Sequence, residues 1–137
     1  MGVIFDILDE YMEDSWHYPM VLHGESPKGG VDAYVAAYCM GAGWGVQGFP
    51  PKPSGGRSHV IAKDFYIRNQ AMIDEKPDCV LAFFLKGAQN KGTSMTVKLA
   101  EKAGIPVEII WFDPEEEIWT RSGRGRRNAA SLGTAMD

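Results

Sequence analysis

Two stretches of this chain combine glycines, hydroxyls and charges in the way that suits an anion. The first reads His23-Gly24-Glu25-Ser26-Pro27-Lys28-Gly29-Gly30-Val31-Asp32, and the second Gly87-Ala88-Gln89-Asn90-Lys91-Gly92-Thr93-Ser94. Glycine lets the backbone approach a ligand closely and adopt positive φ. A helix starting just after such a loop offers unpaired N–H groups and the positive end of its dipole. In the first loop Gly29 and Gly30 supply that backbone. Glu25 and Asp32 flank it, either as acceptors for ribose hydroxyls or as helix caps, and His23 is either a site residue or a hydrogen-bonding core histidine. In the second loop Gly87 and Gly92 play the glycine part. Thr93 or Ser94 either caps the helix, a contribution of about 1 kcal/mol, or holds a phosphate, and Lys91 is equally readable as a solvated loop charge.

Arg68 is a separate clue. At helical spacing Ile61, Phe65, Arg68 and Met72 share one face, and a buried unpaired guanidinium is expensive. Either it snorkels to water or pairs with a protein carboxylate such as Asp78, or its fork takes a ligand phosphate or carboxylate. Arg57, His59 and Lys63 read as solvated charges, with closure over an anion as the other option. Arg121-Ser122-Gly123-Arg124-Gly125-Arg126-Arg127 is a basic segment that offers nucleic acid a weak handle. Neither a catalytic triad, nor a metal-ligand cluster, nor a Walker loop is present, so no metal and no cofactor is expected.

The elements that must position these groups alternate. Ile4, Leu8, Tyr11 and Met12 are spaced for a helix between Val3 and Ser15. Tyr18 to Gly24 reads as a first, buried strand, and Val31, Tyr34, Val35, Tyr38 and Cys39 form the apolar stripe of a helix. A second strand is expected over Gly45–Phe49, halted by Pro50-Pro51, and a proline- and glycine-rich loop runs to Ser58. A helix follows from His59 to Glu75, then the continuous apolar run Cys79–Phe84, typical of a strand buried on both faces. The helix Thr93–Ala103 is stopped by Gly104 and Pro106, and a fourth strand covers Pro106–Phe112. Beyond Asp113 the periodicity fades, apart from a helical turn at Glu115–Trp119, so residues 1–113 are expected to form the domain and 114–137 a disordered tail.

This alternation predicts an α/β fold, an open, Rossmann-like parallel sheet of about four strands with helices on both faces. Right-handed crossovers favour the order 2-1-3-4. Strands 1 and 3 are then neighbours where the winding reverses, the position at which open α/β sheets bind ligands beyond the carboxyl ends of their strands. Both glycine-rich loops follow those two strands.

The 137 residues suffice for one core, and 45% hydrophobic with 23% charged residues is ordinary for a globular chain. A net charge of −4 gives no general attraction to nucleic acid or membranes. No run approaches the roughly 20 apolar residues of a membrane span. Cys39 and Cys79 sit in apolar stretches as thiols of a reducing compartment, and Met1–Asp6 lacks a signal peptide's basic region. The expected location is the cytoplasm.

The order of His23-Gly24, Gly30-Val31-Asp32-Ala33, Ile67-Arg68-Asn69-Gln70-Ala71-Met72, Asp78 before a strand, Gly92-Thr93 and Leu99 to Val107 resembles the SLOG superfamily, in its small YspA/YpsA-related branch. The resemblance spans Val21 to Val107. It implies a Rossmann-like fold that binds nucleotides or nucleotide-derived molecules, often as a homo-oligomer. It also implies distant similarity to the Lonely Guy phosphoribohydrolases, which cleave nucleoside monophosphates to base and ribose 5-phosphate. Their helix carries an arginine-lysine pair, and their phosphate loop ends in Gly-Thr with a glutamate three residues after the threonine. Arg68 and Gly92-Thr93 match; Asn69 stands at the lysine position and Thr96 at that of the glutamate. A carboxylate is the group that stabilises an oxocarbenium-like transition state or activates water, so the expectation shifts from hydrolysis to binding. The first strand and Gly-Ser loop with which such chains begin are missing here.

The residues assigned to the ligand are therefore His23, Gly24, Glu25, Gly29, Gly30, Asp32, Arg68, Asn69, Gly87, Gly92, Thr93 and Ser94. The expected role is that of a sensor, sequestering protein or carrier of a small nucleotide-derived ligand. Hydrolysis of an N-glycosidic bond, with Glu25 or Asp32 as the carboxylate, is the alternative. Nucleic-acid or protein binding through Arg121–Arg127 is a third.

Overall fold

The computed structural model of the protein describes residues 6–10, 20–24, 45–123 and 131–136. Glu25, Gly29, Gly30, Asp32, the helix expected after Val31 and Arg124–Arg127 lie outside the described residues. The strands are β1 (Met20–His23), β2 (Val46–Gly48), β3 (Cys79–Leu85), β4 (Val107–Asp113), β5 (Ile118–Gly123) and β6 (Ser131–Met136), with helices α1 (Ala62–Asp74) and α2 (Lys91–Lys102). They form one six-stranded sheet in the order β2-β1-β6-β3-β4-β5. Every pairing is parallel except β4 with β5. The fold is thus an open α/β sheet of the Rossmann type, as the alternation of elements predicts.

Local chemistry accounts for the elements. Six of the seven residues of β3 are buried, because this strand is covered on both faces. Helix α1 opens on Asp64, whose Oδ2 accepts the Ile61 N–H at 2.9 Å, satisfying one of the orphan donors at the helix start. Helix α2 closes on Gly104 at φ 75°. There the Ile105 N–H reaches the Ala100 carbonyl (2.9 Å) and the Gly104 N–H that of Glu101 (3.0 Å), the paired bonds of a Schellman motif. Val97 of α2 packs with Ala82, Phe84 and Ala135, flanked by Val107 and Ile109, and Ile73 of α1 packs with Val80 and Ala100. Both helices therefore cover one face. Alternation along β4 turns Glu108 and Ile110 to the other face. Residues 6–10 form a helical turn there, with Ile7 and Leu8 buried and Glu10 paired to Arg121, which also holds Glu108.

Two expectations are corrected. The four expected strands keep the order 2-1-3-4, but strands 1 and 3 are not neighbours: β6 lies between β1 and β3, pairing Leu132 with Val21 on one side and with Cys79 on the other. The segment after Asp113 is not a disordered tail where it is described. It turns at residues 114–117 rather than forming helix, returns as β5 and supplies β6. The residues of β6, Ser131-Leu132-Gly133-Thr134-Ala135-Met136, are mostly small or polar and carry no long apolar run, which is why periodicity passes over them. Smallness is nonetheless what the position demands, since a Cβ on Gly133 would lie 3.2 Å from Val80 Cγ2 and 3.4 Å from Pro77 Cγ.

Candidate functional site

All parallel strands end at one edge, and α1 and α2 start there. β1 finishes at His23, which is buried and whose carbonyl accepts the Phe49 N–H at 2.8 Å. Gly24 follows directly. Arg68 reaches across from α1: Nη1 donates to the Gly24 carbonyl and, at 3.5 Å, to that of Phe49, while Nε donates to Asn69 Oδ1 at 2.7 Å. Its guanidinium also stands 5.4 Å from the centre of the Phe65 ring, a favourable cation–π distance. Gly24 is needed for this approach, because a Cβ there would sit 2.9 Å from Arg68 Cζ and closer still to Nη1. Asn69 is buried; at the lysine position of the resemblance, it serves as the acceptor that aims the arginine. Asp78, by contrast, precedes β3 at the amino edge, opposite Gly24.

Around Arg68 lies a niche of about 10 Å³ formed by Gly24, by Thr134 and Ala135 of β6, by Asn69 and Met72 of α1, and by Gly92 and Thr96 of α2. That volume fits about one water molecule, so a phosphate enters only if the Arg68 fork exchanges its carbonyl partners for it. Thr96 Oγ1 donates to the Gly92 carbonyl at 3.1 Å. A hydroxyl group thus borders the niche at Thr96. No carboxylate lines the niche among the described residues.

The second loop is held from within. Asn90, at φ 52°, donates from Nδ2 to the carbonyls of Leu85 (2.9 Å) and Ala88 (3.1 Å) and accepts the Leu85 N–H at 3.1 Å. It is also the N-cap residue of α2, and its side chain caps no helix N–H. The expected capping by Thr93 or Ser94 gives way to this arrangement. Thr93 is fully buried, so its hydroxyl faces the interior, and the Ser94 N–H is bonded to the Asn90 carbonyl at 2.9 Å. Gly87, at φ 92°, shapes the turn and does not line the niche.

Among the expected residues, Gly24, Arg68, Asn69 and Gly92 therefore come together, with His23 and Thr93 beside them in the interior. Sequence reasoning missed Thr134, Ala135, Asn90 and Asp64. Asp64 accepts from Ser54 Oγ at 2.5 Å and lies 3.7 Å from Arg57 Nη2, while Arg57 Nη2 donates to Ser54 Oγ at 2.7 Å. The Ser54 and Ile61 donors, with Arg57 and Lys63 nearby, outweigh burial and hold the Asp64 carboxyl below its ordinary value. This cluster pins the proline- and glycine-rich loop onto α1, so Arg57 is a structural cation. The signal for Asp64 was its place in the first turn of a helix. Arg121 is likewise committed. Its Nη2 bonds both Glu108 oxygens at 2.8 and 3.0 Å. Burial opposes its charge, but Glu108 and Glu10 prevail and raise its pKa, so this arginine does not belong to a free basic surface.

Among the described residues no three His, Cys, Asp or Glu side chains are grouped to hold a metal, and no helix is long and apolar enough to cross a membrane. In comparison with known proteins, no family model, curated protein or solved structure matches the chain.

Proposed function

We propose that this protein binds a nucleotide or nucleotide-derived ligand through its phosphate, acting as a sensor, sequestering protein or carrier. The observation that carries this reading is the meeting of Arg68, Gly24 and the first turn of α2 at the carboxyl edge of the sheet, where β1, β6 and β3 end together. Arginine supplies a planar fork for phosphate oxygens, and the start of α2 adds backbone donors and a favourable dipole. Arg68 donates to the Gly24 and Phe49 carbonyls and to the Asn69 amide oxygen, which aims its fork at this edge of the sheet. The resemblance to the SLOG superfamily points the same way.

Calorimetry and thermal-shift titration with nucleoside mono- and diphosphates, ADP-ribose and cyclic nucleotides test the proposal. Binding of at least one of these, weakened at least tenfold (about 1.4 kcal/mol) by Arg68→Ala, is expected. Silence across the panel, or an Arg68→Ala protein that binds like the wild type, refutes it. Hydrolysis is the weaker reading, because Thr96 rather than an acid stands beside Gly92.

A further inference from the structure

Arg68 borders a second cavity. On its other side a space of about 280 Å³ opens between the end of β2 and α1, walled by Phe49 and Pro50 on one side and by Ile67 and Ala71 on the other. Gln47 and Lys52 also line it. Ile67 is 49% exposed, an apolar side chain left open beside apolar walls. Arg68 Nη1, bonded to both the Gly24 and Phe49 carbonyls, is the partition between this cavity and the niche. The volume lies at the lower end of the range for small-molecule sites, which pair apolar walls with a few polar groups.

We infer that this cavity receives the base of the phosphate-bearing ligand, so that Arg68 is shared between a phosphate side and a base side. The inference rests on the phosphate reading of Arg68. A planar heterocycle suits the space: its faces are apolar enough for the Phe49-Pro50 and Ile67-Ala71 walls, and its edge carries acceptors and donors for the Gln47 amide and the Lys52 ammonium. The niche has room for about one water, so the base of such a ligand belongs on the cavity side of Arg68, and its phosphate meets the Arg68 fork only where the fork gives up its carbonyl partners. The cavity also explains why the approach of Arg68 to Phe49 matters: it fixes the end of β2 that forms one wall.

The test compares nucleoside monophosphates with ribose 5-phosphate and inorganic phosphate by calorimetry on the full chain. At least one nucleoside monophosphate is expected to bind about tenfold or more tightly than ribose 5-phosphate, one decade in Kd. Ala71→Phe, which fills the cavity from a half-buried helix position, should bring the two ligands within about twofold, a few tenths of a kcal/mol, and leave ribose 5-phosphate binding as it was. Gln47→Ala, at an exposed position, should alter the ranking among bases and serves if Ala71→Phe does not fold. Equal binding of nucleotide and ribose 5-phosphate by the wild type overturns the base site while the phosphate reading stands. So does a base preference that survives both substitutions. No binding of any phosphate ligand overturns both.

Discussion

Arg68 owes its position to Gly24, because the guanidinium lies where any larger residue would place a Cβ. Gly24→Ala must therefore displace the arginine. It should weaken phosphate-ligand binding by about tenfold, and Gly24→Ala combined with Arg68→Ala should be little worse than Arg68→Ala alone, since coupled residues are not additive. A four-corner calorimetric cycle measures this; full additivity would separate the two residues. Asp64 gives a second prediction. Its folded pKa is lowered by Ser54 first and then by the Ile61 N–H. The stability it contributes is thus complete above the unfolded carboxyl value of about 3.9 and is lost as pH falls through the lower folded value. Urea midpoints of wild type and Asp64→Asn should accordingly differ most near neutral pH and converge below about pH 4. A difference that stays constant down to pH 2 would assign the loss to hydrogen bonding alone.

At the scale of elements, the β4–β5 hairpin is tied to the helical turn 6–10 by one arginine. Arg121 joins Glu108, which is buried, to Glu10. Removing it takes the bidentate cation from the buried Glu108 carboxylate, and loss of one partner of a buried ion pair is destabilising. Arg121→Ala should lower stability by about 3 kcal/mol, seen as a reduced denaturation midpoint, and Glu108→Gln in that background should recover part of it. A surface role for Arg121 in nucleic-acid binding would instead leave the midpoint unchanged. The Asn90 plug acts on the other side of the sheet. It anchors the turn between β3 and α2 through three backbone bonds, so a single amide fastens the loop that presents the α2 N-terminus.

For the whole molecule, β6 joins two halves. Within the sheet β1 and β2 are joined to β3, β4 and β5 through β6, and Thr134 Oγ1 adds a bond to the Leu22 carbonyl at 3.0 Å. Deleting residues 131–137 should leave no cooperative thermal transition. Gly133→Val is the milder probe: its side chain meets Val80 and Pro77 and should cost about 1–3 kcal/mol as overpacking does. A truncated chain that melts like the full one would show that the sheet closes without β6. Thr134 and Ala135 also line the niche, so site and stability are carried by the same strand.

Much of this was legible in the residues. The apolar run Cys79–Phe84, the Gly104-Pro106 stop and the spacing of Arg68 on its helix each follow from local rules of burial, capping and periodicity, and each is found in the fold. Those rules also gave the parallel α/β class and the edge of the sheet where Gly24, Arg68 and Gly92 meet. Pairing was not legible. Which strand lies beside which depends on contacts between residues 112 positions apart, such as Thr134 and Leu22, and no local pattern encodes them. Leu132-Gly133-Thr134-Ala135 falls in the stretch expected to be a disordered tail, because it carries no apolar run. The tertiary structure makes it a central strand, and there a small residue is what fits, since even a Cβ at Gly133 would press on Val80 and Pro77.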